Sequence, residues 1–437
     1  MKQQIFYNFW GKRNPWIDDN GNEIKNFIED NIKVTSVYLE LVKIYKGNND
    51  SVQMALNSPR RMKVFTWEGP KDTTFSYLDS LRYYAKIYQS GFMCYEPTTG
   101  HILAYVGGND HSFFKFDKVY QSKRQPGSTF KTFAYLAAIN SGFSPCDLYV
   151  DRPVTIQYEE HGEKKRWSPF NAKGFFTYDT LTLRMAMGQS CNSITSQLTE
   201  KIGWGKVVDY AYKCGIKSNL ESVPSICLGS SDVSVFEMTR AYGTIQNDGI
   251  SSEPHIVNCI FDNSGNKVAQ FKPSTKEVLN YETAFIMKYM LMGTLQEHDG
   301  TSQALWSYRL FEKGNEVGGK TGTTSNCSDA WYMAITKNLV IGCWVGTDYR
   351  AVHLRSEAGQ GSRITLPIVG KFLEKAIAAK NPHIETGRLL KPRQKITRAY
   401  LCNYQWHSNN DTLKADSILI QKADSNQIME NDSVINQ

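Results

Sequence analysis

The chain has 437 residues, of which 41% are hydrophobic and 21% are charged, and its formal net charge is +7. This composition is ordinary for a globular protein, and the length allows two domains or one large domain with appendages. The charge is too mild and too scattered to indicate nucleic-acid binding, no apolar run is long enough to span a membrane, and the N-terminus lacks the apolar core of a signal peptide.

Nine cysteines stand singly along the sequence, between Cys94 and Cys402, with no C-x-x-C pair. This pattern excludes the usual zinc-ligand spacings and offers no readable disulfide framework. We therefore predict neither a metal site nor a cofactor. Taken alone, these features favour a cytoplasmic protein or a fragment.

We predict a lead-in region over residues 1–88, in which an aromatic-rich start is followed by helical segments. Apolar residues recur there at helical spacing, and Ser76 with Asp79 forms a capping signature ahead of a further helix. The stretch "GFMCYEPTTGHILAYVGG", residues 91–108, then predicts a strand, a turn and a second strand.

The rest of the chain predicts a helical block, which starts at residue 128, and then a second set of strands. Three short strands are expected in "EVGGKTGTT", "DAWYMAITKN" and "LVIGCWVGTDY", and an amphipathic helix in "LPIVGKFLEKAIAAKNP". Residues 386–437 are polar and predict a solvated, disordered tail. For residues 89–385 this order predicts an α+β fold, in which helices flank one antiparallel sheet of about five strands and a helical lobe is inserted between its two halves.

The stretch "RQPGSTFKTFAYLAAI", residues 124–139, places a serine and a lysine on the first turn of an apolar helix. Ser128 and Lys131 lie one turn apart on the same face, and a backbone N–H at a helix start is a free donor. A serine hydroxyl is a weak nucleophile until a base takes its proton, and a lysine can be that base only when burial or a second cation lowers its pKa. The S-x-x-K pattern also occurs at Ser112 and Ser264, neither of which is predicted to begin a helix. The alternative is a capping serine beside a surface lysine.

The stretch "GGKTGTT", residues 318–324, offers a second cation. In a strand, Lys320 and Gly322 face one side, and Thr321 and Thr323 face the other. A glycine in an edge strand permits the close approach of a bound peptide, and threonine hydroxyls are donors for a carboxylate. The alternative is a hairpin strand whose polar residues face solvent.

The same region also matches a different motif, because Gly314–Thr321, "GNEVGGKT", fits the G-x-x-x-x-G-K-[ST] phosphate-binding loop. Such a loop needs a hydrophobic strand before it and a helix after it. Here "SYRLFEK" is a poor buried strand, and "TGTTSNCSD" is a poor helix start. A nucleotide-binding ATPase is therefore the less favoured interpretation.

The stretch "RMAMGQSCNSITSQL", residues 184–198, predicts two helices broken near Gly188, with Ser190 and Asn192 in the turn between them. In that turn, Ser190 can relay a proton and Asn192 can bind an amide carbonyl. The alternative is the ordinary turn chemistry of glycine and serine.

The three motifs occur in the order and broad spacing of the penicillin-recognising serine transpeptidases: Ser128-x-x-Lys131, Ser190-x-Asn192 and Lys320-Thr321-Gly322. The stretches "RQPGSTFK", "WSPFN" and "GGKTGTTSNCSDAWY" resemble the transpeptidase domain of class A penicillin-binding proteins, and the lead-in resembles the segment that links the two catalytic domains of that class. The resemblance implies the fold of serine β-lactamases and penicillin-binding transpeptidases.

The resemblance also implies a role for each catalytic residue. Ser128 is the acylated nucleophile, and Lys131 is its base in acylation. Ser190 and Asn192 shuttle protons and position the peptide, while Lys320 lowers the pKa of its neighbours.

The resemblance places substrate recognition on the residues that follow Lys320 in the same strand. Thr321, Gly322 and Thr323 are implied to bind the substrate and its carboxylate. The backbone N–H groups of Ser128 and Thr323 are implied to form the oxyanion hole.

The activity implied by the resemblance is that of a D,D-transpeptidase that cross-links peptidoglycan. Stem peptides ending in D-Ala-D-Ala would form an acyl-enzyme, β-lactams would be covalent inhibitors, and other cell-wall synthesis proteins would be further partners. A class A protein also carries an N-terminal membrane anchor and a glycosyltransferase domain, neither of which is found in this sequence. The expected location is the periplasm, with the full-length form tethered to the inner membrane.

Several alternatives stay open at this point. Hydrolysis of the acyl-enzyme would make the protein a D,D-carboxypeptidase or a β-lactamase, although the sequence does not identify the base that a β-lactamase needs for deacylation. A catalytically silent domain that senses β-lactams or wall fragments is the alternative of another class, and the intact motifs disfavour it.

Overall fold

The computed structural model of the chain describes residues 14–18, 20–354 and 357–402. Its first part is a lead-in unit of short helices and one β-hairpin. The elements of this unit are α1 (Phe27–Ile32), α2 (Ser36–Ile44), α3 (Asn49–Asn57), β1 (Arg60–Val64), β2 (Lys71–Phe75) and α4 (Tyr77–Ala85). A capping box at Ser76 and Asp79 begins α4, as the sequence predicts.

The lead-in unit packs on the following domain through a small aromatic core. Trp16 stacks on Phe27 with ring centroids 4.9 Å apart, and Phe27 meets Tyr349 edge-on at 5.2 Å. Trp16 also forms a β-bridge with Val352. The lead-in and the domain therefore share one buried apolar cluster.

A helical lobe with short accessory strands follows the first strand pair, β3 (Gln89–Glu96) and β4 (His101–Val106). The lobe contains, in chain order, α5 (Lys131–Asn140), β5 (Leu148–Val150), β6 (Ile156–Glu160), β7 (Glu163–Trp167), β8 (Thr180–Thr182), α6 (Leu183–Gly188), α7 (Asn192–Ile202), α8 (Trp204–Cys214), α9 (Val235–Gln246), β9 (Ile250–Ser252), β10 (Cys259–Phe261), β11 (Lys267–Gln270), β12 (Thr275–Glu277) and α10 (Tyr281–Gln296). The predicted helical insertion is confirmed. The hairpin of β6 and β7 escaped the prediction because each strand is only five residues long and mostly charged or polar, and its apolar contacts come down to a few side chains such as the paired Ile156 and Trp167.

The second half of the sheet comes after the lobe. It consists of β13 (Gly318–Thr323), β14 (Asp329–Ile335) and β15 (Val340–Gly346), and α11 (Gly361–Ala378) follows it. The five strands pair antiparallel in the order β13–β14–β15–β3–β4. This arrangement confirms the predicted α+β fold with one sheet built from both ends of the domain, and it places β13 at an edge.

Both faces of the sheet are covered. Along β14, Trp331 and Met333 belong to the core on the side of the lobe, whereas Ala330 and Tyr332 belong to the core on the side of α11. Every residue of β14 and β15 is buried. The sheet is therefore a rigid middle layer, and the site lies where its edge strand meets the lobe.

The polar region after residue 386 differs from the prediction. Leu389 lies in the core on the lobe side, and Cys402 forms a disulfide with Cys146. The prediction of a disordered tail is therefore wrong for residues 386–402, because this segment folds back over the lobe. Residues 403–437 lie outside the described residues. The sequence offers no readable disulfide pairing, yet the structure contains this disulfide between cysteines that lie 256 residues apart.

Within the described ranges, no helix combines the length and the apolar character that crossing a membrane requires. The same ranges contain no group of three or more His, Cys, Asp or Glu side chains that could hold a metal ion.

Candidate active site

Ser128 lies on a tight turn that is pressed against the edge strand. Residues Gly127–Phe130 form a 3₁₀ turn, and α5 begins directly after it at Lys131. Gly127 has a φ of +54°, and a Cβ there would come within 2.7 Å of Thr323 O, so only glycine fits. Ser128 is half-buried, and its hydroxyl makes no hydrogen bond to any other residue that the structure describes. The hydroxyl is therefore available to a ligand.

Lys131 is fully buried beneath this turn. Its Nζ lies 2.5 Å from Ser190 O, 3.1 Å from Ser190 Oγ and 2.5 Å from Asn192 Oδ1. Burial lowers the pKa of Lys131 to about 8. At neutral pH this amine gives up its proton far more readily than a surface lysine does.

The S-x-N motif lies between α6 and α7, as predicted, although Asn192 is already the first residue of α7. Ser190 has a φ of +61°, a left-handed conformation that is strained for serine. In this conformation its carbonyl and its hydroxyl both contact Lys131. Asn192 Nδ2 donates to Phe170 O at 2.6 Å, which orients the Asn192 carbonyl oxygen toward Lys131.

Lys320, on β13, is a second fully buried lysine at this site. Its Nζ donates to Ser190 Oγ at 2.8 Å and to Thr321 O at 3.1 Å. Burial, and then repulsion by the Lys131 cation, holds the pKa of Lys320 well below its usual range. Since no carboxylate among the described residues is paired with either lysine, the site disfavours two simultaneous positive charges.

The hydroxyl of Ser190 connects the two amines. A serine hydroxyl donates one hydrogen bond and accepts two. Ser190 Oγ can therefore accept from whichever lysine is charged and donate to the one that is neutral. This arrangement is a short path along which a proton can move between Lys131 and Lys320.

Along β13, the backbone N–H and C=O groups of successive residues point alternately toward β14 and toward the open edge of the sheet. Thr324 N donates to Asp329 O across the ladder at 3.2 Å, whereas Gly319 O points away from β14 and accepts from Thr294 Oγ1. In an antiparallel pair, hydrogen-bonded residues alternate with residues whose backbone groups point outward. The N–H groups of Thr321 and Thr323 therefore point to the open edge, on the side where Gly127 packs.

The side chains of β13 follow the predicted alternation. A Cβ at Gly322 would collide with Pro126 O, so this position faces the turn that carries Ser128, as Lys320 does. Thr323 Oγ1 lies on the other face, where it accepts from Gly361 N at 3.0 Å at the start of α11. Because the N–H of Gly361 uses the threonine oxygen as acceptor, the hydroxyl proton of Thr323 is left to donate elsewhere.

The competing motifs do not assemble a site. Ser112 and Ser264 lie in exposed turns, where their N–H groups donate to Asp110 and Asp262, and neither begins a helix. The phosphate-loop interpretation of Gly314–Thr321 is wrong, because its last residues belong to a strand and no helix follows them.

Residues that sequence reasoning missed hold the motifs in place. Asn171 Oδ1 accepts from the N–H groups of Asn192 and Ser193 at 2.9 and 3.2 Å, so Asn171 caps α7 from a distant loop. Arg124 Nε donates to Asp329 Oδ1 at 2.5 Å and connects the segment that precedes Ser128 to β14. The known capping signatures relate residues only a few positions apart. A cap that acts from 21 residues away therefore leaves no local signal.

Two models of known protein families match this chain. Residues 90–350 match the penicillin binding protein transpeptidase domain, and residues 11–88 match the penicillin-binding protein middle domain. Penicillin-binding protein 1A of Rickettsia felis is 33% identical over 302 residues, which cover 65% of this chain and 37% of that protein. Penicillin-binding protein 2D of Bacillus subtilis is 30% identical over 314 residues, which cover 72% of this chain and 44% of that protein. The chain thus spans less than half the length of these curated relatives.

Solved structures share the fold. Penicillin-binding protein 1A from Haemophilus influenzae superposes with a TM-score of 0.62 at 25% identity, covering 69% of this chain and 49% of that one. The PonA1 protein of Mycobacterium tuberculosis, in complex with penicillin V, gives a TM-score of 0.57 at 21% identity, covering 86% of this chain and 98% of that one.

Proposed function

This chain belongs to the penicillin-binding protein transpeptidase family, and from that premise we propose that it is a serine D,D-transpeptidase acting on peptidoglycan stem peptides. One observation carries the proposal: two fully buried lysines contact Ser190 Oγ, at 3.1 and 2.8 Å, beneath the half-buried Ser128. Burying an unpaired charge costs several kcal/mol. Stability alone therefore does not account for the pair, whereas proton transfer does.

Acylation begins when neutral Lys131 takes the proton of the Ser128 hydroxyl. Ser128 Oγ then bonds to the carbonyl carbon of the penultimate D-Ala. As the peptide C–N bond breaks, Ser190 passes the proton to the leaving amine. The products are an ester on Ser128 and free D-Ala.

The oxyanion formed on the way is held by two backbone N–H groups. The N–H of Ser128 lies in the first turn of a short helix, where backbone donors have no helical partner. The N–H of Thr323 points to the open edge of β13, and the contact of Gly127 with Thr323 brings the two donors together. One such donor is worth about 10²–10³-fold in rate.

The second half of the reaction transfers the acyl group. The amine of a neighbouring stem peptide attacks the ester carbonyl, a new amide bond forms as the ester C–O bond to Ser128 breaks, and the proton lost by the amine returns to Ser128 Oγ. In a β-lactam the broken C–N bond lies in a ring, so the leaving nitrogen stays attached and the ester persists. Among the described residues no carboxylate hydrogen-bonds Ser128, Lys131, Ser190 or Lys320, which favours a transpeptidase over a β-lactamase.

The chemistry requires access to the cell wall, and we place the protein in the periplasm, with its full-length form tethered to the inner membrane. The Cys146–Cys402 disulfide supports an oxidising compartment. The expected partners are stem peptides, β-lactams and other cell-wall synthesis proteins.

The test is to incubate the purified protein with a peptide ending in D-Ala-D-Ala, with and without an acceptor amine, and to identify the products by mass. We expect release of D-Ala together with a peptide–amine product. Hydrolysed peptide alone would indicate a D,D-carboxypeptidase. In a parallel assay with labelled penicillin, a long-lived adduct is expected, whereas rapid loss of the label would indicate a β-lactamase. If the protein releases no D-Ala and forms no adduct, the proposal is overturned. The protein would then be a wall-sensing domain.

A further inference from the structure

A buried carboxylate lies beneath the S-x-N turn, and the mechanism above does not use it. Asp151, next to β5, is 3% exposed. Its Oδ1 accepts from Ser193 Oγ at 2.5 Å, from Asn171 Nδ2 at 2.7 Å and from Cys191 Sγ at 3.4 Å, and its Oδ2 accepts from Thr177 N at 2.9 Å. Burial raises the pKa of Asp151, but these hydrogen bonds outweigh that effect and hold the pKa below its ordinary value. The side chain is therefore ionised at neutral pH.

A continuous set of hydrogen bonds leads from Asp151 to the catalytic lysine. Asn171 donates its NH2 group to Asp151, and its Oδ1 accepts from Asn192 N at 2.9 Å. The carbonyl of Phe170 accepts from Asn192 Nδ2 at 2.6 Å. Asn192 Oδ1 in turn contacts Lys131 Nζ at 2.5 Å.

The charge of Asp151 fixes which way round the Asn171 amide sits. A carboxylate is acceptor-only, so it can bind the NH2 end of Asn171 but not the oxygen end. With the NH2 group held by Asp151, the oxygen of Asn171 faces the first N–H groups of α7, which have no helical partner. A reversed amide would place donors against donors at the start of α7, where Asn192 is the first residue.

We propose that Asp151 is a positioning residue for acylation, which sets the orientation of Asn171 and thereby places Asn192 against Lys131. This inference rests on the proposed transpeptidase function. Asp151 contacts none of the reacting atoms and acts only through the side chains between it and Lys131.

The test is a double-mutant cycle on acylation by labelled penicillin, with Asp151→Asn, Asn192→Ala and the double variant. Asp151→Asn keeps the shape of the side chain but removes the charge. We expect it to lower the acylation rate constant at least about tenfold, while the dissociation constant of the noncovalent complex stays within about threefold. In the Asn192→Ala background the same change should have little further effect, because residues that act through one another are not additive.

Glu237→Gln is the matched control. Glu237 is a carboxylate of similar burial, 8% exposed, and it accepts from Ser218 N at 2.6 Å and Ser234 N at 2.9 Å at the start of α9, away from the motifs. We expect this variant to lose stability but to keep its acylation rate. Equal acylation in Asp151→Asn and Glu237→Gln, or effects of Asp151→Asn and Asn192→Ala that multiply in the double variant, would overturn the inference.

Two further measurements keep the outcome decisive. If Asp151→Asn does not fold, the half-buried Asn171 is truncated instead, and Asn171→Ala should give the same loss and the same non-additivity with Asn192→Ala. The unsubstituted protein is labelled in parallel. Absence of its adduct would refute the proposed function itself, whereas a normal adduct with unaffected variants would refute only the role of Asp151.

Discussion

At the scale of single residues, the properties of the site follow from burial without a counter-ion. Lys131 and Lys320 are both fully removed from solvent, and the groups that contact them are neutral oxygens. A lysine paired with a carboxylate keeps its proton and cannot act as a base. The same side chain in a neutral pocket loses its proton more easily, and burial lowers the pKa of Lys131 to about 8. The surroundings of Lys131, and not its residue type, therefore suit it to the proposed role of a base.

Replacing this base should abolish most of the acylation. We expect Lys131→Ala to lower the rate of acylation by penicillin by about 10²–10⁴-fold, the usual contribution of a general base. The measurement is the rate of covalent labelling, with the thermal midpoint as a control for folding. Labelling within tenfold of the unsubstituted rate would mean that another group takes the proton of Ser128.

The pKa of Lys131 predicts how acylation depends on pH. A base reacts in its neutral form, and burial lowers the pKa of Lys131 to about 8, so acylation should rise as the pH rises toward 8 and level off above it. Two pH units below the pKa, roughly one hundredth of the base is neutral. The rise of the acylation rate with pH reports the titration of the lysine pair, and not of Lys131 alone, because the two amines share Ser190 Oγ. A rate that stays flat between pH 6 and pH 8 would contradict this assignment.

We expect Thr323 to recognise the free carboxylate at the end of the donor peptide by a hydrogen bond. Its hydroxyl accepts from Gly361 N, which leaves its proton for a substrate oxygen. A hydrogen bond to a charged group contributes about 1.5–3 kcal/mol, so replacing the terminal carboxylate by an amide should cost at least about tenfold in acylation. Thr323→Val should shrink this discrimination, whereas Thr323→Ser, which retains the hydroxyl, should preserve it. Equal acylation rates for the acid and amide peptides in the unsubstituted protein would show that Thr321 and Thr323 do not bind the terminal carboxylate.

At the scale of elements, the segment 388–402 acts as a clamp on the two central helices of the lobe. Glu282, at the start of α10, accepts from the N–H groups of Thr397 and Arg398 and from the Arg398 side chain. Arg398 Nη1 also donates to Ile139 O near the end of α5 at 2.6 Å. Since α5 carries Lys131, this clamp holds the helix of the proposed base.

Removing the clamp should destabilise the lobe. We expect a chain ending at residue 387 to unfold at a lower denaturant concentration than one ending at residue 402, because it lacks these hydrogen bonds and the disulfide. Loss of a native disulfide typically costs about 2–5 kcal/mol. The chain ending at 402, tested with and without a reductant, separates the disulfide from the rest. Identical midpoints for the two lengths would show that the segment contributes nothing to stability.

The helix α11 shows how an element boundary can escape a sequence pattern. The apolar spacing predicts a helix from "LPIVG" onward, but α11 begins earlier, at Gly361, and contains Pro367 in its interior. The first turn has weak helix formers, yet Gly361 fits against the backbone of Gly322 and Trp331, where a Cβ would collide. Packing against the sheet therefore sets the start of this helix, and intrinsic propensity does not.

At the scale of the whole molecule, the predictable features are those with a local pattern. The strand pair, the three-stranded meander and the three motifs of the candidate site each occupy a few consecutive residues with a clear period or spacing. The bonds from Asn171 to Asn192, from Arg124 to Asp329 and from Cys146 to Cys402 join distant parts of the chain. Such pairings depend on how the lobe, the sheet and the C-terminal segment pack together. A short stretch of sequence therefore does not predict them.

The central claim is that the fold assembles one activated serine, Ser128, from three motifs that lie far apart in the sequence. The most direct measurement is the intact mass of the folded protein after exposure to penicillin, followed by peptide mapping and with Ser128→Ala as the control. We expect one added acyl group, located on Ser128, and none in the control variant. No adduct in the folded protein, or an adduct on another residue, would contradict the account.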